Sequence, residues 1–132
     1  TFYIEPVAKG RPRISKFGGC FTPKKTRAFE TELKRQAQDM YKGDPLQGPL
    51  YVSVSLYIKR PKSVKREYPS VKPDADNYLK ALLDSLNGVL WEDDAQCVDI
   101  TVRKRYGTVP GITLFVEPLA GPDSPKVPGQ HA

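Results

Sequence analysis

The sequence predicts an α+β fold, a two-layer arrangement in which two helices cover one mixed β-sheet, with the order β-α-β-α-β-β. Three observations predict it. Three segments alternate apolar and polar residues with a period of two, built on Val52/Val54/Leu56/Ile58, Val98/Ile100/Val102 and Ile112/Leu114/Val116; that is the pattern of strands with one face on a core. Two further segments repeat apolar residues at helical spacing: Phe29, Leu33, Ala37 and Met40, then Leu79, Leu82, Leu83 and Leu86. The chain has 132 residues, 39% hydrophobic and 27% charged, which suits one compact domain.

Taken in order, residues 2–7 are apolar-rich and read as a first strand. Residues 9–22 hold Gly10, Pro12, Gly18 and Gly19 among basic residues and read as a loop or bent hairpin. Thr22-Pro23 is a helix start, Thr as the N-cap and Pro in the first helical position, and that helix should end near Gly43. The strand centred on Val54 follows, with Tyr51 and Tyr57 on its other face. There, packing under a helix or at a dimer interface is the first expectation, and stacking against a branched partner the second. Residues 74–88 form the second helix, stopped by Asn87-Gly88. The last two strands are joined by residues 106–111, which contain Gly and Pro and have hairpin character. Trp91 is expected in the core. Residues 1–119 should form the domain, and residues 120–132, rich in Pro and Gly, a flexible C-terminal tail.

Composition excludes several chemistries. Cys20 and Cys97 have no CxxC or Cys/His company, so a structural zinc site lacks ligands, and a disulfide is not expected. The single His, His131, lies in the tail, so a scheme that needs a well-held imidazole has no candidate. No apolar run approaches the roughly 20 residues that cross a bilayer, and no signal-peptide pattern opens the chain. A cytoplasmic protein with no membrane partner is expected. The initiator Met is missing, and a few N-terminal residues are expected to have been lost.

Charge is distributed unevenly. The net charge is +6, which favours a polyanionic partner. Residues 9–27 carry seven cations and no acid, and residues 59–72 carry six cations against Glu67. Between Asp74 and Asp99 the sign reverses: seven acids stand against Lys80 alone. A basic chain with a concentrated acidic patch is what metal-dependent phosphodiester chemistry requires, cations for the phosphates and carboxylates for the metal.

Within that patch Pro73 places Asp74 at or just before a helix start, and Asp76, Lys80 and Asp84 follow at i, i+4 and i+8 on one face. Hard cations such as Mg²⁺ take carboxylate oxygens, water and substrate phosphate. Asp74 and Asp76 can supply one side of such a site, with Asp94 or its neighbour Asp93 closing it. Lys80 can stabilise the scissile phosphate or orient the attacking water. A metal-bound water needs no histidine. Each acid alone reads first as a cap, a solvated turn, or, for Asp76 and Lys80, a surface pair worth about 0.3–0.5 kcal/mol; together they favour the metal site. Lys9, Arg11, Arg13, Lys24 and Lys25 are candidate DNA-phosphate contacts, or else a solvated basic face.

The run Asp74-x-Asp76-Asn77-x-x-Lys80-x-x-x-Asp84, followed by Trp91-x-Asp93-Asp94-x-Gln96, resembles the signature of the RusA family of Holliday junction resolvases. Lys9-Gly10-Arg11-Pro12-Arg13 and Thr22-Pro23-Lys24-Lys25-Thr26 are similar to its phage and prophage branch. The resemblance covers roughly residues 2–119. It implies a homodimer that cuts four-way DNA junctions symmetrically with Mg²⁺, Mn²⁺ being a substitute. Matched position by position, it implies metal ligands at Asp74, Asp76 and Asp94, an essential lysine at Lys80, and support from Asn77, Asp84 and Asp93. The link between helix and Asp-Asp pair is shorter here than in the best-known members, which leaves Asp93 as an alternative to Asp94. Pro73 stands where a basic residue often precedes the first aspartate, with Lys72 one place back. The alternatives are a metal nuclease for flaps or three-way junctions, and a non-catalytic basic DNA-binding protein.

Overall fold

The computed structural model describes residues 1–10 and 23–119, together with the backbone of residues 13–14 and 20–21. The expected tail, residues 120–132, lies outside the described residues. Two short strands, β1 (Arg13–Ile14) and β2 (Cys20–Phe21), pair antiparallel, Arg13 opposite Phe21. This is the hairpin alternative for the basic loop. Helix α1 (Lys24–Met40), strand β3 (Leu50–Lys59), helix α2 (Ala75–Leu86), a single 3₁₀ turn (Asp94–Gln96) and strands β4 (Cys97–Gly107) and β5 (Gly111–Pro118) follow. The architecture is α+β, a mixed three-stranded sheet with two helices.

The sheet order is β4-β3-β5, with β4 parallel and β5 antiparallel to β3. Parallel neighbours need a crossover, and α2 is that crossover. Val52, Val54 and Leu56 of β3 are fully buried in one core with Phe29, Leu33 and Ala37 of α1, Ala81, Leu82 and Leu86 of α2, and Trp91. Trp91 is thus a core residue, its indole N–H donating to Asn87 Oδ1 at 2.8 Å. Gly88 follows with φ +80°, a turn conformation that favours glycine, and the chain leaves α2 there.

Five expectations are corrected. The last two strands do not form a hairpin: β3 lies between β4 and β5, and residues 108–110 pass across its C-terminal end. Residues 2–7 form no strand; Phe2 makes an isolated bridge to Ile112. Pro6 has no N–H to give a ladder, and the main chain of Tyr3 bonds to the Gln36 side chain of α1 (3.1 and 3.2 Å). Met40 is 56% exposed at the end of α1; the buried stripe begins instead at Thr26, and the N-cap is Pro23 with no side-chain bond. In β4 the register slips between the pairs Leu50–Cys97 and Tyr51–Asp99. That bulge turns Val98 outward, 62% exposed, and gives its core place to Cys97, a free thiol.

The other face of β3 points away from the helices. Tyr51 packs edge-on against Phe115 of β5 (centroids 6.3 Å apart), so it does not lie under a helix. Arg103 donates to Ser53 and Ser55 Oγ at 3.3 and 3.0 Å on the same face.

Candidate active site

Helix α2 divides its residues by face. Tyr78, Ala81, Leu82, Ser85 and Leu86 are buried, while Asp76, Asn77 and Lys80 are exposed and Asp84 is half-buried. The approach to the helix is fixed from β4: Lys104 Nζ donates to the carbonyls of Val71 and Pro73, each at 2.9 Å. Asp74 then occupies the N-cap position with extended backbone (φ −70°, ψ 154°), and its carbonyl accepts from the N–H groups of Asn77 (3.1 Å) and Tyr78 (3.3 Å). Its carboxylate makes no capping bond. An aspartate at this position ordinarily spends its side chain on the helix; here that side chain is left for something else. Among the described residues, Asp76 and Lys80 form no ion pair either, which removes the surface-pair reading.

The second acidic segment is organised differently. Asp93 caps the 3₁₀ turn, its Oδ1 accepting from Ala95 N–H at 3.3 Å. Gln96 completes the lock: its Oε1 accepts from the N–H groups of Glu92 (2.9 Å) and Asp93 (3.1 Å), and its Nε2 donates to the carbonyls of Leu46 (2.8 Å) and Gly48 (3.0 Å). Asp93 is therefore occupied by its own turn. Asp94 is half-buried and faces the carboxyls of Asp84 and Asp93. Burial, then hydrogen bonding to those two groups and their charge, pushes it up to about 6. The neighbouring Cys97 thiol is pushed up to about 11, by burial and by Asp94.

Of the basic candidates, Lys24 and Lys25 are exposed at the start of α1. Lys25 lines an open groove of about 600 Å³ with Gly10, Pro23, Pro73 and Tyr78, beside the start of α2. Arg11 lies outside the described residues, as does the side chain of Arg13. The ammonium of Lys9 is bound within the protein, to Glu30 Oε1 at 2.8 Å and Asp84 Oδ2 at 3.3 Å. Glu30 first, with Asp84, holds it above its ordinary value against the opposing effect of burial. Lys104 and Glu30 were not singled out by the sequence, and Gln96 appeared there only as a position of the motif. The partners of Lys104 and Glu30, and the carbonyl of Leu46 that Gln96 reaches, lie 21 to 50 residues away, and no local pattern announces those contacts.

The structure thus brings together Asp84, Asp93, Asp94 and Lys9, and presents Asp74, Asp76 and Lys80 at the free end and face of α2. Among the described residues, no group of three or more His, Cys, Asp or Glu converges as a ready-made metal cage. Mg²⁺ does not require one, since it keeps several waters and takes one or two carboxylates plus phosphate oxygens. The donors fit such a cation in kind: they are all carboxylate oxygens, Asp74 is unspent on its cap, and Asp94 is crowded by like charges.

A small basic α+β chain that leaves carboxylates and a lysine uncommitted on one helix has the side-chain types that a carboxylate-bearing nuclease would use. Residues 4–117 match the family Endodeoxyribonuclease RusA. A protein of Bacillus subtilis (strain 168), the uncharacterized protein YqaN, is 34% identical over 135 residues, covering 91% of this chain and 95% of its own. The chain belongs to the RusA endodeoxyribonuclease family. Its activity class is accordingly the endonucleolytic cutting of DNA.

Proposed function

We propose that this chain is a Mg²⁺-dependent endodeoxyribonuclease that resolves four-way DNA junctions by paired, symmetric cuts in recombination and repair. The observation that carries the reading is Asp74: a helix-start aspartate whose carboxylate is not used as a cap, in a chain of net charge +6. Asp74, Asp76 and Asp94 would hold the metal, with Mn²⁺ as a substitute. When bound, the metal lowers the pKa of its water and neutralises charge on the phosphate.

The chain's own residues do the rest. Lys80, free of any ion pair among the described residues, places a positive charge where the scissile phosphate gains negative charge. Lys24 and Lys25, with Arg11 and Arg13, hold backbone phosphates on the flanking duplex. Asp93 and Gln96 fix the turn that carries Asp94.

A four-way junction has approximate two-fold symmetry and needs two cuts, whereas one chain carries one set of the proposed acids. A two-fold homodimer matches both numbers. The sheet face bearing Tyr51 and Phe115, the latter 55% exposed, is available to a second copy. No helix of the described residues is long and apolar enough to cross a membrane. A cytoplasmic enzyme, in a bacterium or brought by a phage, agrees with a DNA substrate.

The test is incubation with synthetic four-way, three-way and linear DNA, with and without Mg²⁺, beside light scattering of the protein alone. Paired cuts on the four-way junction that need Mg²⁺, made by a dimer, are expected. Preference for flaps or three-way junctions would replace the substrate, binding without cutting at any Mg²⁺ concentration would replace the activity, and a monomer making unpaired nicks would remove the dimer.

A further inference from the structure

We propose that Lys9 is a positioning residue for the cleavage reaction: its ammonium, held between Glu30 of α1 and Asp84 of α2, fixes the carboxylate against which Asp94 is set. The proposal rests on the reading of Asp94 as a reaction-site carboxylate.

Residues 9 and 10 are tied down at four points. Lys9 N–H donates to the Asn77 carbonyl in the first turn of α2 at 3.0 Å, and its ammonium reaches Glu30 at 2.8 Å and Asp84 at 3.3 Å. Gly10 N–H donates to the buried Thr26 hydroxyl at 3.2 Å. Gly10 can sit there because it lacks a side chain: a Cβ would stand 2.8 Å from Pro23 Cγ. The segment that leads into the basic loop is thereby fastened to both helices.

The consequence for the acids follows from charge. Asp94 faces the carboxyls of Asp84 and Asp93, and Lys9 is the cation bound to Asp84. With that cation in place, Asp84 has an oxygen directed at Lys9 and a fixed orientation beside Asp94. Without it, the half-buried Asp84 carboxylate is left uncompensated beside Asp94, and like charges at close range move apart. That movement displaces Asp94. An ammonium engaged by two carboxylates is also poorly placed to neutralise a DNA phosphate, so Lys9 should differ in kind from Lys24 and Lys25.

Two quantities separate these roles: junction affinity with its salt dependence, and the single-turnover cleavage rate at saturating protein. For Lys9→Met the rate is expected to fall by about tenfold or more, as when a residue supporting a ligand is lost. Junction affinity should stay within about twofold, with the slope of affinity against salt unchanged. Asp84→Asn should lower the rate to a similar degree, and the double variant little further, because both act through one contact. Lys9→Arg, which can reach the same carboxylates, should keep most of the rate.

A Lys9→Met protein with wild-type rate overturns the proposal. So does weaker binding with a salt slope reduced by about one, the mark of a lost phosphate contact, and so does additivity in the double variant. If circular dichroism shows Lys9→Met unfolded, Asp84→Asn decides: a wild-type rate overturns the proposal, and a slowed rate with intact junction affinity supports it. Should Asp94→Asn cut normally, the assignment of the site falls and the proposal with it. Should Asp94→Asn be inactive while Lys9→Met is normal, the proposal falls alone.

Discussion

Two aspartates stand at the same structural position and do different things. Asp74 precedes α2 and Asp93 precedes the 3₁₀ turn, both as N-cap residues with extended backbone. Asp93 spends its carboxylate on Ala95 N–H, and its turn is closed by Gln96. Asp74 spends nothing on its helix, and its approach is held by the lysine on β4. Where the main chain is secured by other groups, the acid makes no capping bond; where the turn is short and exposed, the acid secures the turn and its neighbour Asp94 makes no cap. Residue type and position therefore do not assign a role. Hydrogen-bond accounting does.

The largest effect should come at the free acid. Asp74→Asn and Asp76→Asn are each expected to reduce cleavage of a four-way junction by at least about 100-fold, a few kcal/mol of transition-state stabilisation. Junction binding should hold or tighten, because a negative charge facing phosphate is removed. Gel-shift and cleavage assays on the same preparation check this. A folded Asp74→Asn protein that binds poorly would mean that the carboxylate serves structure after all, and the contrast with Asp93 would disappear.

Lys80→Ala should cost turnover by about 10²-fold, the scale of a lost charge-stabilising donor, while calorimetry still detects Mg²⁺ binding. Wild-type rates at saturating Mg²⁺ would reduce Lys80 to an exposed helix residue.

The smallest effects sharpen the comparison through stability. Asp94 has its carboxyl raised from 3.8 to about 6 in the folded chain. Folding thus favours its protonated form: its stabilising contribution is full below 3.8 and lost as pH rises through about 6. In metal-free protein, Asp94→Asn is expected to melt higher than wild type near pH 7, with the gap closing toward about pH 4. Asp93→Ala should instead melt lower, by up to about 1 kcal/mol for a lost cap. Melting curves in chelator across pH measure both. If the two variants shift stability in the same direction near neutrality, the division of labour between the neighbours is wrong.

Much of this was legible in the sequence where the signal is local. The leucine stripe gave the buried face of α2, Pro73 gave its start, and the alternation in residues 50–59 gave the central strand, each within a residue or two of where it lies. What was not legible depends on contacts between distant segments. Residues 108–110 are as short as a hairpin loop, yet they cross β3, because that strand already has α2 and β4 as its parallel crossover partners and only its far edge is open to β5. Alternation placed Val98 inward, and a bulge set by the pairing with β3 turned it out. Lys9 looked like its basic neighbours in the loop; only the packing of α1 beside α2 gives it Glu30 and Asp84.

The reach of Gln96 has a consequence for how such a chain can change. Its amide spans the turn bearing Asp94 and the carbonyls of Leu46 and Gly48, and Gln47 adds a bond to Glu92 at 2.9 Å. The connection between α1 and β3 contains none of the acids proposed for the site, yet it acts as a gauge against which the height of Asp94 is set. An insertion or a stiffer residue at positions 46–48 would alter the spacing of the carboxylates with every acidic residue still in place.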